Sequence, residues 1–148
     1  MLRLLKSPDA AAAAGAKAYE GYCVVSGRHR DNLGFYGPLD GAHVFSRKAF
    51  PELACAPLNV LPVCRYRHNN PFGFEAHDNI GCMDLVGASP RPHIDRVLWL
   101  LRHANSEYRR RVWEQVAELV SEALLVSERV RGYEDDLTVM LGEGENKP

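Results

Sequence analysis

The chain has 148 residues, 46% hydrophobic and 25% charged, with a formal net charge of −1. That length supports one domain with a sizeable core, or one small motif wrapped by helices, and the composition is that of an ordinary globular protein. A net charge near zero gives no bulk argument for a polyanionic partner, and the bulkiest apolar run, Val97 to Leu101, sits between Arg96 and Arg102 and is far short of a membrane span.

Charge is unevenly distributed. Residues 21–111 carry twelve Lys/Arg against eight Asp/Glu, and residues 112–148 carry three against nine. A basic front and an acidic tail fit a phosphate-facing segment backed by a solvated or partner-facing helix; ordinary variation along a mixed-charge chain fits as well.

In chain order, Ser7-Pro8-Asp9 before the Ala10–Ala14 run predicts a helix to about Tyr19, with Pro in the first turn and Gly21 as its stop. Asp9 and the lack of a long apolar stretch make this a helix start rather than a secretory signal, and a cytoplasmic protein is expected. Tyr22 to Val25 is β-prone, and Gly27 to Asn32 is a basic turn. Leu33 to Tyr36 reads as a first strand ended by Gly37-Pro38, and a second strand is expected over about Gly41 to Phe45. Phe50 to Pro57 reads as a loop with a helical turn. A helix is expected from Asn59 or Leu61, ending before Pro71. Residues 73–87 show no period. Ser89-Pro90-Arg91-Pro92 then opens a helix to about His103 with Ile94, Val97, Leu98 and Leu101 as its stripe. Asn105 or Ser106 caps a longer helix to about Arg131, with Val112, Val116, Leu119, Ala123, Val126 and Val130 on one face and Trp113, Val120 and Leu124 beside them. That stripe suits core packing, or a homodimer through the C-terminal helix. Gly132 stops it, and a mobile tail is expected from Gly142.

The densest chemistry lies between Tyr22 and Asn70. Asp40-Gly41-Ala42-His43 is followed by Asn59-Val60-Leu61-Pro62-Val63-Cys64 and then His68, so an asparagine comes sixteen residues after a histidine and a second histidine nine later. A His at a strand end can deprotonate water, an Asn in the next loop can hold that imidazole's orientation, and a His on a following helix can ligate a divalent cation. Histidines merely hydrogen-bonded in the core of a small zinc-binding or helical domain are the plainer alternative.

With Cys23-Val24-Val25-Ser26-Gly27 upstream, Gly41-Ala42-His43-Val44 as first motif and the apolar run Leu58 to Cys64 around the asparagine, the chain resembles the HNH nucleases of the ββα-metal (His-Me finger) class over about a third of its length. The resemblance implies an α+β protein in which such a finger, residues 21–75, packs against an N-terminal helical segment, 1–20, and a connector with C-terminal helices, 76–148. It implies metal-dependent hydrolysis of DNA phosphodiesters, with 5′-phosphate ends. His43 would be the general base, for which an ordinary imidazole pKa of about 6.5 is suitable, and Asn59 the orienting residue. His68 would ligate the cation, Mg²⁺ with Mn²⁺ able to replace it, and the cation would stabilise the leaving 3′-oxygen. Arg47, Lys48, Arg65 and Arg67 flank these positions and would hold phosphates, with Arg28, His29 and Arg30 extending the track, whereas Arg109-Arg110-Arg111 reads as a solvated helix face.

Two departures from the family pattern matter. Many members carry Asp or His just before the base, and here Ala42 stands there; Asp40 is the nearest carboxylate for the second ligand, with His77 and Asp78 as other candidates. Many also carry two Cys-x-x-Cys knuckles on a structural zinc, where this chain has Cys23-x-x-Ser26 and Cys64-x-x-Arg67. Neither Ser26 nor Arg67 supplies a thiolate, so no structural zinc is expected, and Cys23 and Cys64 read as small buried hydrophobes. These departures keep open a non-catalytic DNA-binding or interaction module that retains the finger as a scaffold. They also leave a zinc-stabilised structural protein using Cys23, Cys64 and nearby His.

Overall fold

In the computed structural model, which describes residues 2–47, 49–65, 98 and 100–145, the chain is α+β, with an antiparallel two-stranded hairpin preceded and followed by helices. The first helix, α1 (Pro8–Ala18), starts as its sequence dictates: Ser7 Oγ accepts the Ala10 N–H at 3.1 Å, and Pro8 occupies the first turn. It stops through two left-handed residues, Glu20 at φ 55° and Gly21 at φ 82°, and the Gly21 N–H returns to the Ala16 carbonyl at 2.9 Å.

Strands β1 (Leu39–His43) and β2 (Val60–Cys64) pair from Leu39↔Cys64 to His43↔Val60. Three expectations are corrected here. Leu33 to Tyr36 is not a strand: Gly34–Tyr36 forms a 3-10 turn. The strand expected over Gly41 to Phe45 lies two residues earlier. The stretch expected to begin a helix at Asn59 or Leu61 is β2. All five β2 residues are buried, and a short apolar run buried on both faces has no periodicity to separate strand from helix. Bonds from Val44 N to Asn59 O and from Arg65 N to Pro38 O bracket the ladder, so Gly41↔Pro62 is a pair without ladder bonds. Pro62 therefore loses nothing by lacking an N–H, and its carbonyl accepts from Val24 N at 3.0 Å.

Alternation puts Gly41 and His43 on one hairpin face with Val60, and Asp40 and Ala42 on the other. α1 lies against the Gly41 face at short range. A Cβ on Gly41 would stand 2.5 Å from Ala12 Cβ, and one on Gly15 would stand 2.7 Å from the Val60 carbonyl. The alanines thus serve close approach as well as helix propensity.

Residues 100–103 are helical, with Leu98, Leu100, Leu101 and Ala104 buried; the rest of the helix expected after Pro90, and residues 73–87, lie outside the described residues. The long helix expected to reach Arg131 is broken. It divides into α2 (Arg109–Val126) and α3 (Glu128–Arg131) at Ser127, which is extended at φ −121°, ψ 114°. Ser127 Oγ caps α3 by accepting from Val130 N and donates to Glu52 Oε2 at 2.8 Å. Val112, Val116, Leu119, Val120, Ala123 and Val130 are buried within the single chain, Leu124 is partly buried, and the break leaves Val126 46% exposed. α4 (Glu134–Glu145) follows, with Leu137 and Met140 in the core, and the last residues of the tail expected to be mobile from Gly142, 146–148, lie outside the described residues. Among the described residues no helix is long and apolar enough to cross a membrane.

Candidate active site

The ladder ends at Val44, whose N–H reaches the Asn59 carbonyl at 2.8 Å. One step further the Asn59 side chain replaces a strand. Its Oδ1 accepts the Phe45 N–H at 2.8 Å, and its Nδ2 donates to the Phe45 carbonyl at 3.0 Å and to the Leu53 carbonyl at 3.1 Å. A carboxamide presents a donor and an acceptor side by side, as a peptide unit does, and this pairing fixes which end is nitrogen. Asn59 is fully buried, so each of these bonds also spares a polar group the cost of desolvation without a partner.

The loop thus closed, residues 44–59, carries two 3-10 turns and its own apolar contents: Phe45, Phe50 and Leu53 are buried, with the Phe45 and Phe50 rings 5.1 Å apart, edge on. It delivers the Ala54 carbonyl to His43, whose Nε2 lies 3.0 Å away. A carbonyl only accepts, so Nε2 carries the proton, and in the neutral ring Nδ1 carries the lone pair. His43 is partly buried at the end of β1. This arrangement fixes the orientation of the ring and the tautomer it holds.

The helical frame fixes the loop through residues that sequence reasoning missed. Gln115 on α2 uses both ends of its amide: Oε1 accepts from Tyr19 Oη at 2.7 Å, and Nε2 donates to the Leu58 carbonyl, next to Asn59, at 2.8 Å. Arg129 Nη1 donates to the Ala49 carbonyl at 2.6 Å, and Glu52 receives Ser127. No motif or spacing in the sequence marks any of these residues.

Of the other residues singled out, Asp40 lies across the hairpin from His43 and holds Arg65, with Arg65 Nη2 3.1 Å from Oδ1 and Nε 3.3 Å from Oδ2. The strand therefore does not bring Asp40 to His43, because positions three apart point to opposite faces. Ala42 is buried. Arg47 is exposed four residues after His43, and Arg65 is exposed just past β2. Lys48, Arg67, His68, His77 and Asp78 lie outside the described residues. Cys23 and Cys64 meet in the core, both fully buried. Hydrogen bonds from the Cys64 thiol, the Ser26 hydroxyl and the N–H groups of Ser26 and Cys64, the two N–H groups each 3.2 Å from Cys23 Sγ, hold the Cys23 thiol well below its ordinary range, against the opposing effect of burial.

The described residues contain no group of three or more His, Cys, Asp or Glu placed to hold a metal ion. Around His43 they do not amount to a cation site, and any such set would draw on residues beyond them. A cleft of about 300 Å³ opens between α1, the Pro57–Asn59 turn and α2, lined by Arg3, Gly15, Leu58, Gln115, Glu118 and Glu122. His43 is not in its lining. No family model, curated protein or solved structure matches this chain.

Proposed function

We propose that the chain is a metal-dependent endonuclease of the HNH kind, hydrolysing DNA phosphodiesters with His43 as general base. The observation that carries this reading is the bond that aims the imidazole, made from a loop that Asn59 closes. Asn59 clamps Phe45, and the loop so held turns the Ala54 carbonyl onto Nε2. A neutral His43 would take a proton from the attacking water on Nδ1, while Nε2–H stays on Ala54 and the imidazolium that forms keeps that bond. The oriented tautomer is the contribution of this loop. Arg47 and Arg65, with Lys48 and Arg67 in sequence beside them, are the cations proposed to hold phosphates. Dependence on Mg²⁺ or Mn²⁺ enters through the resemblance, with His68 as ligand. Asp40, across the hairpin and engaged by Arg65, is a poor companion for it.

The second reading, a non-catalytic DNA-binding or interaction module, is favoured by one observation. The His43–Ala54 bond also ties the loop to β1 and would be useful with no chemistry at all. Plasmid cleavage with Mg²⁺ or Mn²⁺ separates the two. Nicking or linearisation by the wild type is expected, lowered on the order of 10²–10⁴-fold in His43→Ala and strongly reduced in His68→Ala. A wild type that binds DNA yet cuts none with either ion would hand the case to the binding module.

A further inference from the structure

The turn leading into β1 carries a feature that base chemistry does not use. Phe35 leaves 78% of its surface in solvent, more than any other large apolar residue among the described ones. Its ring centroid lies 4.9 Å from that of Tyr36, and the Arg28 guanidinium sits 4.7 Å from the Tyr36 centroid. Gly37 follows at φ 78°, and a Cβ there would stand 3.3 Å from Arg65 Cβ, so the turn backs onto Arg65 at the end of β2, whose guanidinium lies on Asp40. Of the nearby acids, Asp40 holds Arg65, and the backbone N–H of Asp31 donates to His29 Nδ1 at 3.2 Å.

An exposed ring backed by a second ring that itself carries a guanidinium, with the exposed Arg65 behind the same turn, fits one kind of ligand. A nucleobase offers a flat apolar face for stacking, and its flanking phosphates offer charge to the arginines. In an intact duplex those faces are covered by neighbouring pairs, so the feature suits a base that has left the stack. A protein partner would call for a broader apolar patch than the described residues show here, where the exposed ring lies between Gly34 and the partly buried Tyr36. We propose that Phe35 and Tyr36 form a stacking platform for an unpaired nucleobase, with Arg28 and Arg65 on the adjoining phosphates. The chain would then act on single-stranded or locally unpaired nucleic acid. This deepens the nuclease reading and rests on it only in taking nucleic acid as the partner.

The test is fluorescence polarisation of the full chain with an end-labelled oligonucleotide, single-stranded or annealed to its complement, in EDTA so that nothing turns over. Wild type should prefer the single strand. Phe35→Ala should weaken single-strand binding on the order of tenfold and leave duplex binding unchanged, while Phe35→Trp should retain it. Circular dichroism checks that the variants, altered at an exposed position, remain folded. Equal affinity for the two forms, or a Phe35→Ala protein that binds single strands like wild type, overturns the proposal. Cleavage of the same oligonucleotides with Mg²⁺ tells the two ideas apart. Phe35-dependent binding without cleavage leaves the platform standing and removes the nuclease. Cleavage with no strand preference and no effect of Phe35→Ala does the reverse, and no binding to either form removes both.

Discussion

Asn59 bonds both backbone groups of Phe45, accepting from its N–H at 2.8 Å and donating to its carbonyl at 3.0 Å, so a side chain extends the ladder by one rung. The pairing requires a donor and an acceptor in peptide geometry. Asn59→Asp keeps the size and removes the donor, setting a carboxylate against the Phe45 and Leu53 carbonyls in a fully buried position. Each buried group left unpaired costs about 1–3 kcal/mol. A loss of about 3 kcal/mol or more is expected as a lower urea midpoint at unchanged slope. A loss below 1 kcal/mol would show that the clamp contributes little to the fold.

Asp40 and His43 occupy one strand three residues apart, and the strand's alternation separates them. Asp40→Asn should therefore leave the metal dependence of any cleavage within a few-fold of wild type. The lost pair with Arg65, which is itself 57% exposed, should cost no more than about 1 kcal/mol. Activity titrated against Mg²⁺ checks this. A large rise in the Mg²⁺ needed for half-maximal rate would return Asp40 to the cation.

The chain's local chemistry announces its ends and turns well. Ser7, Pro8 and the alanines mark α1, and Gly37-Pro38 stops the segment before β1, because these residues act through their own backbone geometry. The strand at Val60–Cys64 was not legible as a strand, since a run buried on every side has no polar face to set a period. The break at Ser127 was hidden for another reason. It depends on Glu52, 75 residues away, accepting a hydroxyl that would otherwise point off a helix. Type and spacing drew attention to His43 and Asn59, and the buried Asn59 side chain does close the loop after the His43 strand. Gln115 was not legible, because its value lies in joining Tyr19 and Leu58, which only tertiary structure brings to it.

The contact between α1 and the hairpin depends on what is missing from side chains. Gly41→Ala would place a methyl 2.5 Å from Ala12 Cβ, and Gly15→Ala would place one 2.7 Å from the Val60 carbonyl, with backbone on one side of each clash. Each is expected to destabilise by about 1–3 kcal/mol through overpacking. Gly142→Ala is the control: nothing lies within 4 Å of its added Cβ, and it sits inside α4. It should stabilise by roughly 0.5–1 kcal/mol through helix propensity. Thermal melts of the three variants give opposite signs if α1 sits as close as described, and a neutral Gly41→Ala would mean that the helix can ride higher on the sheet.

Tyr19 supplies the pH test. It is 2% exposed, its hydroxyl donates to Gln115 at 2.7 Å, and burial pushes its pKa from 10.0 up to about 12, with the Arg111 guanidinium 4.5 Å from the ring centroid opposing in part. A folded-state pKa above the unfolded one means that the unfolded chain releases this proton first as pH rises. The contribution of Tyr19 is then whole below pH 10 and is lost progressively between pH 10 and about 12. A shift of that size corresponds to up to about 3 kcal/mol at the alkaline end. Tyr19→Phe should start about 1 kcal/mol lower near neutral pH, because Gln115 loses its donor. It should then fall less steeply than wild type above pH 10. Tyr108, also raised by burial, titrates in both proteins and cancels in the difference. Urea unfolding across the alkaline range measures both slopes. Parallel curves for wild type and Tyr19→Phe would mean that Tyr19 ionises in the folded chain as freely as in the unfolded one, and that the Tyr19–Gln115–Leu58 link to the loop around Asn59 opens more readily than its distances indicate.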